Sequence, residues 1–144
     1  MRNFLLVIHI VSSLLAFMLT LALVFRSYVA LRKKLPLKKI DTTYPLWIVV
    51  LLYIQLILGF ILFYYLINDY GANEERIASN GRYWMRFWAV EHFTLMIFTV
   101  VLAHIGYIYN KNSKTPQLIY KKNRLYYGIT FILICLSLLM SVIR

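Results

Sequence analysis

Four apolar stretches, each about as long as one bilayer crossing, constrain this chain more than any other feature. They run roughly from Phe4 to Phe25, Leu46 to Ile67, Phe87 to Ile108 and Leu125 to Ile143. At a helical rise of about 1.5 Å per residue, some 20 residues cover a hydrocarbon core of ~30 Å. None of the four alternates apolar and polar faces as the helices of a water-soluble bundle do. With 62% hydrophobic residues in 144 and a mean hydropathy of +0.71, no length is left for a soluble domain. The expected fold is all-α: a single integral membrane four-helix bundle over residues 1–144.

A net charge of +11 would suggest nucleic acid in a soluble protein, but its distribution here points to topology, and no nucleic-acid partner is expected. The first connection carries Arg26, Arg32, Lys33, Lys34, Lys38 and Lys39 against Asp41. The third carries Lys111, Lys114, Lys121, Lys122 and Arg124 with no acid. The second is near neutral, with Arg76, Arg82 and Arg86 against Asp69, Glu74 and Glu75. Basic connections stay on the cytoplasmic side, which places both chain ends outside, on the periplasmic side of a bacterial inner membrane. Contact of the basic loops with anionic lipid headgroups is compatible with this but not needed to explain it. Cys135 is the sole cysteine, so no disulfide forms within the chain, and a Cys-x-x-Cys-His for covalent haem is absent. The first apolar run is too long for a signal peptide and lacks a small-x-small cleavage site, so it is read as a retained helix.

The third run holds most of the ionisable chemistry. Glu91 is the only acid inside any apolar run, and His92 and His104 are two of the three histidines. An ionisable group inside a span is costly unless paired or solvated, and so marks a candidate site. The third histidine is His9, about two turns into the first run. By the charge-derived topology, spans one and three both enter from outside. His9 and His92 each lie five residues in, at a common depth of roughly 7 to 8 Å. Two imidazoles at one level on different helices could ligate a b-type haem. Met96, one turn below His92, would press on it or fill a gap, and Arg86 could meet a propionate. Glu91 points about 100° away from His92. It could orient His9 from the second coordination sphere, or pair with Arg2, Arg82 or Arg86. The competing reading is that these histidines serve only as interhelical hydrogen-bonding groups.

His104 lies about 18 Å deeper than His92 and is rotated by about 120°. That spacing argues against a second haem, and a structural hydrogen bond with Tyr53 is expected instead. In span two, Pro45 is expected to sit in the first helical turn, and Gln55 and Gly59 to share an inward face, with Gln55 bonded to another helix. Ser12, Ser13, Ala16 and Thr20 form a stripe of small residues below His9, which allows close approach of a neighbour. Thr130, Ser137 and Ser141 mark the inward face of span four. The connection from Asn68 to Tyr83 reads as a turn-rich loop and a candidate lid.

The segments RFWAVEHFTLM with the following IGY, and YIQLILGFILFYY in span two, resemble a group of small bacterial inner-membrane proteins labelled cytochrome b-like. The resemblance covers the four spans and their connections. Glu91, His92 and Met96 agree with its third-span pattern, and His9 and Ser12 with its first-span cluster. Val11 and Ser13 stand where that cluster has a second histidine and a glycine, and Tyr53 replaces a second-span histidine. The resemblance implies haem b, held by His9 and His92 with Met96, Arg86 and Glu91 around it. It also implies electron transfer with respiratory or quinone-linked membrane proteins.

Two further functions remain open from the residues alone. One is a cofactor-free structural or assembly subunit, and the other, less well suited to four unbroken spans, is a proton path through Glu91 and His92. A nucleophile beside a base, a carboxylate pair and a nucleotide-binding loop are all missing, which favours an electron carrier or accessory subunit over an enzyme with its own substrate and leaves the enzyme question open.

Overall fold

A computed structural model describes residues 1–71 and 87–143. Helix α1 spans Arg2–Lys33 and α2 spans Lys39–Gly71. A π-helical turn, Phe87–His92, leads into α3, Phe93–Lys111, and α4 spans Pro116–Ile143. No strand occurs among the described residues. All four helices are long and apolar enough to cross a membrane. Arg82, Arg86 and the proposed lid from Asn68 to Tyr83 lie wholly or largely outside the described residues.

Each helix packs against its neighbours in sequence, and α4 closes the ring against α1. Helices α1 and α3 are therefore diagonal partners, as are α2 and α4. The inward faces share one spacing. On α1 the buried positions are Ala16, Thr20, Leu23, Ser27 and Ala30. On α2 they include Asp41, Pro45, Ile48, Leu52 and Gln55, and on α3 Thr99, Ala103, Gly106 and Asn110. Helix α4 contributes Tyr120, Asn123, Tyr127, Thr130, Ile134 and Ser137. Alternating steps of three and four residues are the seam of left-handed helix packing. The residues on that seam are mostly small or polar, while Leu14, Met18, Phe25, Ile57 and Ile132 point outward. Inside lipid this is the expected division, because apolar bulk gains little by leaving lipid, while close backbone approach and polar pairing do stabilise.

The helices overrun the apolar runs. Helix α1 continues past Phe25 to Lys33, α2 begins at Lys39 ahead of Leu46, and α4 begins at Pro116 ahead of Leu125. Much of the basic first and third connections is therefore helix, leaving short links at 34–38 and 112–115. Lys34 ends α1 in the left-handed conformation, φ 50°. Pro45 does not open α2 but lies within it, as its seventh residue. A proline there offers no N–H to the carbonyl four residues earlier, which is that of Asp41. The Asn110 and Asn123 amides donate to that carbonyl instead, at 3.2 and 3.3 Å.

Candidate functional site

At the end of the bundle where α1 begins, His9 and His92 face one another across the diagonal. Their ring centroids are 6.5 Å apart and their planes meet at 72°. The common depth expected from the two registers is thus what the fold provides. His92 closes the π-helical turn, a local widening of the helix that often accompanies functional positions. Its Nδ1 lies 2.7 Å from Ser137 Oγ on α4, which fixes the ring about its axis. His9 Nδ1 is buried with no hydrogen-bond partner among the described residues.

The His9 backbone is held by α2. Gln55 Nε2 donates to the His9 carbonyl at 3.1 Å and to Ser12 Oγ, while Ser13 Oγ donates to Gln55 Oε1 at 3.0 Å. The amide's two hydrogens and its oxygen are all engaged, which is what a buried glutamine in a membrane bundle requires. Gly59, one turn along α2, faces the His9 ring. A methyl group there would meet His9 Cε1 at 3.7 Å, filling the space beside the imidazole without a clash. Gln55 and Gly59 therefore share the inward face expected of them. Met96 and Glu91 are half-buried on α3 and the π-helical turn respectively. Arg86, the expected propionate partner, is not among the described residues.

Two imidazoles bound to one metal, each nitrogen about 2 Å from it, have centroids about 6 Å apart. The observed separation matches that span. Among the described residues no group of three or more His, Cys, Asp or Glu side chains converges. The pair is thus short of donors for a bare ion but supplies the two that a porphyrin metal leaves open. The two imidazoles, one with an unclaimed ring nitrogen, stand at a separation that two ligands of one metal can adopt.

Two other polar groups occur. On the side of α2 and α3, Tyr53 OH lies 3.2 Å from His104 Nδ1, the contact expected from their similar depth. At the opposite end of the bundle is a cluster that sequence reasoning missed. Asp41, 1% exposed, is ion-paired with Arg26 and accepts from the Lys38 N–H at 2.8 Å. The Tyr120 hydroxyl is shared between the Asp41 carboxylate, at 2.7 Å, and the Pro36 carbonyl, at 3.0 Å. Asn110 also donates to Asn123 Oδ1 at 2.8 Å. The Tyr127 hydroxyl is shared between the carbonyls of Pro45 and Ala103, at 3.2 and 3.1 Å. This cluster ties all four helices together and satisfies the carbonyl that Pro45 frees. The available signal was the three-and-four spacing of Tyr120, Asn123, Tyr127 and Thr130, which passes through residues read as a basic loop.

No protein-family model matches the chain, and neither does any curated protein or solved structure. The likeness to cytochrome b-like proteins therefore rests on the quoted residues alone.

Proposed function

We propose that this protein is a b-type cytochrome-like electron carrier of the bacterial inner membrane, with His9 and His92 as the axial ligands of one haem b. The observation that carries the reading is the pair of imidazoles facing across the bundle diagonal at 6.5 Å. When bound, the haem would supply one-electron chemistry, and the chain would supply its binding and orientation. Ser137 sets the His92 ring, Gln55 anchors the backbone that carries His9, and Gly59 keeps space beside that ring. Glu91 and Met96 complete the surroundings, and Arg86 is assigned to a propionate. With the basic connections on the cytoplasmic side, the site lies near the periplasmic face and the exchange partners are respiratory or quinone-linked membrane proteins.

A reduced-minus-oxidised visible spectrum of detergent-purified protein from haem-replete cells tests the reading. A sharp b-type α band near one haem per chain is expected, lost in both His9→Ala and His92→Ala. A colourless wild type sinks it. The second reading, a cofactor-free assembly subunit, is favoured by the His92–Ser137 bond and the fully engaged Gln55, which are ordinary polar ties between membrane helices. It predicts colourless protein that copurifies with a membrane partner.

A further inference from the structure

The side of the bundle between α1 and α2 carries a groove of about 230 Å³, lined by Leu15 and Leu19 from α1 and by Trp47, Val50, Leu51 and Ile54 from α2. Spread over the roughly 10 Å of helix between Trp47 and Ile54, a volume of about 230 Å³ is about 4 to 5 Å wide. A helix with its side chains is about 10–12 Å across and cannot enter such a groove. One extended acyl chain can.

The same stripe of α1 leads to a cluster of cations. Lys33 lies about five turns beyond Leu15 at ~3.6 residues per turn, so it stands on the groove side of its helix. Lys34, Lys38 and Lys39 follow in the link and at the start of α2. All four are exposed, and none has an ion-pair partner among the described residues. Asp41, the one acid of this connection, is already taken by Arg26, while Arg32 lies over the Tyr28 ring. Lys39 and Ile54 are about 22 Å apart along α2, roughly half of the ~40–45 Å that a bilayer spans with its headgroups. Cations and groove together therefore extend through one leaflet, from headgroup to midplane. Trp47, 59% exposed, sits at the end of the groove nearer the lysines. Its indole N–H can only donate, and the ester carbonyls of a lipid can only accept.

We infer that this face seats one anionic phospholipid, with an acyl chain in the α1–α2 groove and its phosphate among Lys33, Lys34, Lys38 and Lys39. Topology alone accounts for lysines on that side of the membrane, but not for a chain-wide groove leading up to four uncompensated ones. A second copy of the protein is a poor occupant. Inserted in the same orientation, it would bring its own lysines to the same level and repel. A zwitterionic lipid would fill the groove and leave the cations unanswered. The seat shares no residue with His9 and His92, so it does not depend on haem there.

The test uses the full chain with Trp84→Phe and Trp88→Phe, which leaves Trp47 as the sole tryptophan. The protein is reconstituted into phosphatidylcholine vesicles containing brominated phosphatidylglycerol or, at matched mole fractions, brominated phosphatidylcholine. Quenching of Trp47 then reads the lipid beside it. A relative affinity about tenfold or more in favour of phosphatidylglycerol is expected. Lys33→Gln and Lys39→Gln, both at exposed positions, should each lower that preference by up to about fivefold. Val50→Phe fills the groove, leaves every cation in place and should remove most of the preference. The proposal is overturned if the two brominated lipids quench equally, or if neither quenches, because protein then covers the groove. It is also overturned if the preference survives Val50→Phe or the lysine substitutions, because the anionic lipid is then drawn by surface charge without a seat.

Discussion

Asp41 illustrates how one side chain can organise the end of a membrane bundle. It is the third residue of α2, and its carboxylate reaches back to the Lys38 N–H as half of a capping box, while Arg26 and Tyr120 hold it from α1 and α4. Its own carbonyl, deprived of a donor by Pro45, depends on Asn110 and Asn123. Asn123→Leu removes one of those donors and leaves the Asn110 amide short of an acceptor. The expected cost is about 1–3 kcal/mol, the usual penalty for stranding buried polar groups. Pro45→Ala restores an N–H to the carbonyl, so Asn123→Leu should cost clearly less in that background. Unfolding in a mild detergent, run as a double-mutant cycle, measures the coupling. Additive losses would mean that the asparagines serve the bundle in some other way.

At the scale of elements, the closest backbone approach recorded at a glycine is that of α3 to α4. A methyl group at Gly106 would lie 2.7 Å from Tyr126 Cβ and 3.2 Å from Tyr127 Cε2. The first of those atoms is tied to the α4 backbone and cannot swing away. Gly106→Ala is therefore expected to destabilise by about 1–3 kcal/mol as the helices are forced apart. Gly128→Ala, with nothing within 4 Å of the added methyl, should be neutral or slightly stabilising in the same unfolding assay. Four spans were legible because an uninterrupted apolar run has few other solutions. The inward faces were partly legible, through Ser12, Ala16 and Thr20 on α1 and Thr130 and Ser137 on α4, because small and polar residues mark a face where hydropathy does not. The helix ends were not legible. Lysine and arginine at 26–34 and 121–124 read as loop, yet long basic side chains are compatible with helix as long as the seam residues between them, Ser27, Ala30 and Asn123, turn inward. Asp41 was passed over for the same reason, as a loop acid among cations. The facing of His9 and His92 was legible because it needed only two counts of residues and an assumed orientation.

For the molecule as a whole, the bundle is two helical hairpins, each with internal polar ties. Gln55 joins α2 to α1, and Asn110 joins α3 to α4 through Asn123. Beside those internal ties, which also include the Arg26–Asp41 ion pair, several contacts cross from one hairpin to the other: His9 to His92, Tyr53 to His104, and Asp41 to Asn110, Tyr120 and Asn123. Dividing the gene between the codons for residues 71 and 87 and producing both halves in one cell should then give a complex that copurifies through a tag on either half. Recovery of each half alone would show that the ties between hairpins are too weak to hold them. The division also has a meaning for biosynthesis. A ribosome delivers α1 and α2 to the bilayer well before Asn110 and Asn123 exist, so the Asp41 carbonyl must wait without its amide donors for the second half of the chain to emerge. During that interval the half-made protein has most reason to be held by the insertion machinery, and any cofactor gripped by both hairpins can be loaded only after it ends.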